Sequence, residues 1–134
     1  MDTDEWQRWQ GMAIGSITAA RQLQSTYEFR SCVSRTYYGA YQIVSAVLLY
    51  GGLQPPADRE AWSHEDTPRL IIEHWAPYIK RLDERRDLAL RLSTLYKLRV
   101  RADYISTHIF DSRVISPALR DAGYLLKAAQ KILP

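Results

Sequence analysis

The sequence predicts an all-α domain, an up-down helical bundle of four main helices plus one short helix. Three observations carry this. Apolar residues recur at three- and four-residue steps through most of the chain, and no segment alternates as a half-buried strand does. The breaks between periodic stretches are mostly brief and marked by proline, glycine, serine and aspartate. The chain has 134 residues, which suits one domain that buries roughly two thirds of its unfolded surface without a metal or disulfide. An apolar fraction of 46% and a charged fraction of 25% argue against long disorder.

The first helix is expected from near Asp4 to about Gln24, with Met12, Ile14, Ile17, Ala20 and Leu23 on its apolar face. Ser25, with Glu28 three residues on, has the form of a capping box that opens the second helix. That helix runs to about Tyr50 and stops at Gly51-Gly52. Its core stripe is Phe29, Val33, Tyr37, Ala40, Tyr41, Val44, Val47 and Leu48. Gly39 lies mid-helix, where glycine costs about 1 kcal/mol relative to alanine, and implies close approach of another helix. Residues 51–66 form a loop. Thr67-Pro68 is a cap followed by proline in the first helical position, and Pro77 keeps that helix short. A long helix follows from Tyr78 or Leu82 to near His108. Asp111-Ser112 reads as a turn. Ser116-Pro117 repeats the cap-plus-proline signal and opens the last helix, with Leu119, Ala122, Leu125, Leu126, Ala129, Ile132 and Leu133 inward.

Several function classes are disfavoured. Cys32 is the single cysteine, so no intramolecular disulfide forms; a small core residue in the reducing cytoplasm fits it. Neither a second thiol nor clustered histidines are present for a zinc site, so no metal or cofactor is predicted. The start, MDTDEWQRWQ, is acidic and polar, unlike a signal peptide. The longest apolar run, Ile43–Tyr50, is too short to cross a membrane. A net charge of +3 permits a nucleic-acid partner.

The stretch KLRVRADYISTH, residues 97–108, concentrates the chemistry. On a helical wheel Leu98, Ala102, Ile105 and Ile109 share an arc of ~60° that faces the core. Lys97, Arg101, Tyr104 and His108 share another arc, roughly 120° away. Arg99 and Asp103, an i, i+4 pair, lie on the core's flank and form a local salt bridge. A solvated helix face explains the outer stripe. So does a phosphate site, in which arginine neutralises phosphoryl charge and histidine moves protons. A second copy of the chain across a symmetric interface would complete such a site. In SRTYYGAY, Ser34, Tyr37, Tyr38 and Tyr41 share a face. They read as core-edge packing or, with Arg35, as a surface for stacking on a base. His64 reads as a surface or capping histidine and His74 as structural, and Trp6 and Trp9 as packing on a neighbouring helix or a partner chain.

These pieces, SRTYYGAYQIVSAVLLYGG, the histidine of WSHED, LYKLRVRADY and the closing ALRDAGYLLKAAQKIL, together resemble a HEPN domain over about residues 10–133. The resemblance implies an all-α bundle that forms a symmetric homodimer. It also implies a metal-independent endoribonuclease of a toxin–antitoxin or phage-defence system, with RNA as substrate and a nucleotidyltransferase antitoxin or other defence protein as partner. The family signature is an arginine, four to six residues, then a histidine. Arg101 and His108 have that spacing, although Ala102 stands where the family usually has Asn, Asp or His. In the other alignment Arg99 is the arginine of Arg-x-x-Ala-Asp-Tyr, and Tyr104 takes the histidine's place. A tyrosine is a poor proton donor at neutral pH, so that alignment implies a module that binds RNA or nucleotide without cutting it. The wheel favours Arg101 and His108 as the catalytic pair. Lys97, Tyr104, Arg35 and Tyr38 would then contact substrate, and Arg99, Asp103 and His64 would support the site.

Overall fold

The computed structural model describes residues 4–134; the first three residues of the polar N-terminal stretch lie outside it. It holds five α-helices: α1 Glu5–Ser25, α2 Phe29–Tyr50, α3 Thr67–His74, α4 Leu82–Tyr104 and α5 Ser112–Ile132. No strand occurs among the described residues, as the apolar periodicity predicts. No described helix is long and apolar enough to cross a membrane.

α2 is the central element and touches each of the other four helices. Its second half explains this. Every residue from Ile43 to Leu48 is buried, and a helix apolar on all sides must be covered on all sides. Trp6 and Trp9 of α1 lie edge-on against Tyr50 and Tyr41 of α2, at ring-centroid distances of 5.4 and 6.2 Å.

Gly39 marks the α1–α2 crossing, as its mid-helix position implies. A Cβ there would lie 2.6 Å from Ile17 Cδ1 and 2.7 Å from Ile17 Cγ1. Alanine gains about 1 kcal/mol in helix propensity, but displacing a packed isoleucine costs about 1–3 kcal/mol. Gly39→Ala is therefore expected to destabilise the chain by about 1 kcal/mol in urea unfolding, and Ile17→Val/Gly39→Ala to recover part of that. A stabilised Gly39→Ala variant would contradict this packing.

The helix ends depart from the sequence expectation in several places. Ser25 does not cap α2: it is the last residue of α1, and its hydroxyl donates to the Gln22 carbonyl at 2.6 Å. α1 closes in a Schellman motif, with Tyr27 N–H donating to Gln24 O and Glu28 N–H to Leu23 O. Tyr27 takes the left-handed position at φ +62°, where glycine is usual, so no glycine advertises this end. Asp66, not Thr67, occupies the cap position of α3; Thr67 is buried in the first turn and donates to Ser63 O at 2.7 Å. α5 begins at Ser112 rather than at Ser116-Pro117, because Asp111 caps it by accepting from Arg113 N–H at 2.9 Å. Pro117 lies inside this helix on an exposed face.

α4 ends at Tyr104, four residues short of His108. Ile105, Ser106 and Thr107 are weak helix formers, and a side chain from α2 takes over the last carbonyls. Ile105 and Ile109 therefore leave the core stripe on which the wheel placed them and are 42% and 81% exposed. The apolar face of α1 is also narrower than expected: Ile17 and Ala20 are buried, whereas Met12 and Ile14 are about half exposed.

Candidate functional site

The motif residues of α2, the 51–66 loop and α4 converge on Arg99. Its residue is 8% exposed. Nη1 donates to Asp103 Oδ2 at 3.0 Å and to the Tyr38 hydroxyl at 3.3 Å. The guanidinium lies 5.5–6.0 Å from the ring centroids of Tyr96, Tyr38, Tyr37 and Tyr104, within cation–π range. Ser34 donates to the other carboxylate oxygen of Asp103 at 2.5 Å. The expected Arg99–Asp103 salt bridge is present within α4, and the hydrogen bonds of its two members with Tyr38 and Ser34 tie α4 to α2. Arg99 Nε is buried with no hydrogen-bond partner among the described residues.

His64 fastens the loop to this cage. Its Nδ1 lies 2.5 Å from the Tyr37 hydroxyl, and its ring stacks on Tyr96 with an interplanar angle of 11°. Burial raises the Tyr37 phenol well above its usual range, so that hydroxyl keeps its proton and shares a hydrogen bond with Nδ1 whose direction follows the imidazole tautomer. Tyr41 donates to Trp62 O at 2.6 Å, a second anchor for the loop. Burial, and secondarily the Arg99 charge, hold the His64 pKa below its usual 6.5. The unfolded chain therefore takes up a proton on His64 as pH falls through 6.5, before the folded chain does. The stability tied to neutral His64 is full above that pH and is lost below it. Unfolding midpoints are expected to fall from about pH 7 to about pH 5 more steeply in the wild type than in His64→Gln. Equal slopes would remove His64 as the titrating group.

The outer residues are arranged differently from the wheel. Lys97 and Arg101 are exposed on α4 and have no carboxylate partner among the described residues. His108 is not on α4 at all. It is half-buried in the α4–α5 connection, its ring 4.6 Å from that of Phe110. Helical periodicity thus does not align it with Arg101; a side chain of α2 brings their main chains together instead. Arg30 donates through Nη1 to Ala102 O at 2.8 Å and Arg101 O at 3.4 Å. Through Nη2 it donates to the carbonyls of Ile105, Ser106 and His108 at 2.9, 3.1 and 2.5 Å. One guanidinium thus caps α4 and fixes the turn after it.

Beside Arg30 lies a cleft of about 580 Å³ between the start of α2 and the end of α4. Arg35, Ser34, Asp103 and Tyr104 line it. Arg35 lies over the Tyr38 ring at 5.1 Å, and Tyr104 is 75% exposed. Lys97, Arg101, Tyr38 and His108 are outside its lining. No cluster of metal-ligating side chains occurs among the described residues.

Arg30 and Tyr96 belong to this region with no role predicted for either from sequence, and Tyr27 stands in the turn before α2. A signal for the first two exists. Arg30 stands one turn before Ser34 on α2, and Tyr96 stands three residues before Arg99 on α4, so each shares a face with a motif residue. Tyr27, strained in φ and 79% exposed, has no such signal. No family model matches this sequence, and no curated protein matches it.

Proposed function

We propose that this chain is a HEPN-type, metal-independent endoribonuclease of a toxin–antitoxin or phage-defence system, working as a homodimer in which Arg101 and His108 carry the chemistry at the cleft between the two copies. The observation that carries the reading is the Arg30 guanidinium, which binds the main-chain carbonyls of both residues. His108 takes the proton of the RNA 2′-hydroxyl or returns one to the leaving 5′-oxygen, and Arg101 stabilises the charge that builds on phosphorus-bound oxygen. Lys97 and Arg35 hold flanking phosphates, and the exposed ring of Tyr104 stacks on a base. Induced expression tests this: the wild type is expected to arrest growth, and His108→Ala to be harmless at equal expression. Harmless wild-type protein would weigh against the nuclease.

A second reading has its own support. Arg99 is where the motif residues meet, and it belongs to the alignment in which Tyr104 replaces the histidine. The chain is then a catalytically inactive module that binds RNA or nucleotide and docks a nucleotidyltransferase or another effector. The nuclease reading, and the inactive module where RNA is its ligand, require electrostatic RNA binding. The affinity is expected to fall with salt, and Lys97→Ala to flatten the log–log slope by about 0.7–1 for one lost phosphate contact. Binding that ignores salt would leave a structural adaptor.

A further inference from the structure

The loop at residues 51–66 joins α2 to α3 and rests on the cage around Arg99. Trp62 is its one buried residue, and most of the others are exposed. Two polar ties hold it to α2: the Tyr41 hydroxyl donates to Trp62 O at 2.6 Å, and His64 Nδ1 meets the Tyr37 hydroxyl at 2.5 Å. A third ties it to α3, where the Thr67 hydroxyl donates to Ser63 O at 2.7 Å. Gly52, at φ +93°, turns the chain at its start. A segment with so little buried apolar surface opens at lower free energy than the helices beneath it.

His64 is the member of this set whose charge changes near neutral pH. From α2 it faces the rings of Tyr37, Tyr38 and Tyr41, and from α4 the Tyr96 ring and the Arg99 charge. Arg99 stands against three of those rings, Tyr37, Tyr38 and Tyr96. Asp103 is engaged by Arg99 and Ser34. No carboxylate pairs with His64 among the described residues, and Glu60, Glu65 and Asp66 of its own loop are exposed. Proton uptake would therefore add a second cation to a cage that already holds one, with no free counter-charge. The Tyr37 hydroxyl accepts from an imidazolium, so what closure costs the charged ring is solvation and distance from Arg99, not the hydrogen bond. We propose that the 51–66 loop is an acid-released strap: protonation of His64 frees it while α2 and α4 stay packed. The open loop returns the ring to water and to its ordinary pKa of 6.5, and the closed loop holds it lower. Opening thus becomes more favourable as pH falls below 6.5, until the closed form is protonated too. Release uncovers the Tyr37 and Tyr96 faces behind Arg99, which in turn holds Asp103 on the wall of the cleft. The strap regulates the site proposed for RNA, but its opening does not depend on whether RNA is cut.

Limited proteolysis of the full chain with proteinase K at about pH 7.5 and about pH 5 tests it, each rate scaled to that on a synthetic peptide of residues 51–66. Cleavage beside the buried Trp62 needs the open loop and follows its population when reclosing is fast. The scaled rate there is expected to rise about tenfold from the higher pH to the lower in the wild type, with α2 and α4 left uncut. In His64→Gln, uncharged at both pH values, it is expected to stay within about twofold. No rise in the wild type overturns the proposal, as does an equal rise in His64→Gln. Cleavage of α2 and α4 as fast as at Trp62 also overturns it, because the chain then unfolds as a whole. None of these readouts involves RNA, so failure of the nuclease reading leaves the result unchanged.

Discussion

Replacing Arg99 with alanine is expected to destabilise the chain by about 3 kcal/mol, at the lower end of what breaking a buried ion pair costs. The contributions are visible in the cage. Four tyrosine rings lose the cation between them, Tyr38 loses a donor and Asp103 loses its counter-charge. The cost stays at the lower end because the Asp103 side chain is 31% exposed and keeps the Ser34 hydrogen bond. Arg99→Lys is expected to recover only a minority of the loss, since an ammonium has neither the planar fork nor the stacking face. Urea unfolding measures both variants. A change for Arg99→Ala within about 0.5 kcal/mol, the ordinary result for a surface substitution, would contradict a buried role.

The second large effect is on RNA. His108→Ala is expected to lower the cleavage rate by about 10²–10⁴-fold, the usual contribution of a positioned proton-transfer group. Arg101→Ala is expected to lower it by about 10²–10³-fold, the loss of one donor to a developing oxyanion. The two losses should not add, because groups acting on one transition state fail together. Folding should survive both changes. Arg101 is exposed, and the His108 ring packs on Phe110 at the surface, whereas its carbonyl, retained by alanine, makes the hydrogen bond to Arg30. Unaltered RNA affinity in both variants would separate chemistry from binding. If cleavage instead persists in His108→Ala and falls in Arg99 or Tyr104 variants, the other alignment is the working one.

Much of the fold was legible in the sequence because burial obeys periodicity. The α2 stripe from Val33 to Leu48, the glycine stop at Gly51-Gly52 and the short α3 before Pro77 all follow from local rules. The Arg99–Asp103 pair was legible too, since i, i+4 spacing holds wherever a helix holds. What escaped is what tertiary contacts decide. The end of α4 depends on a guanidinium about seventy residues earlier, which no window around His108 contains. The arc that grouped His108 with Arg101 assumed helix where there is none. The start of α5 was hidden because Asp111 has the residue type of a turn as well as of a cap. The role of His64 was half visible: its position in the loop was clear, but a loop gives no phase by which to aim it at Tyr37.

These misses shift weight within the site. The inner residues Tyr37, Tyr38, His64, Tyr96, Arg99 and Asp103 form a partly buried scaffold that joins α2, the loop and α4. Arg30, Arg35, Arg101, Tyr104 and His108 gather at the end of that scaffold, and substrate chemistry is proposed there.

The central claim is that the chain cuts RNA without a metal. Its most direct test is incubation of the purified protein with a defined single-stranded RNA in excess EDTA, followed by analysis of the product ends. Attack by the 2′-oxygen on phosphorus breaks the P–O5′ bond, with a proton leaving the 2′-hydroxyl and another arriving on O5′. The account predicts products bearing 2′,3′-cyclic phosphate and 5′-hydroxyl ends, absent with His108→Ala. RNA left intact by folded wild-type protein would contradict it.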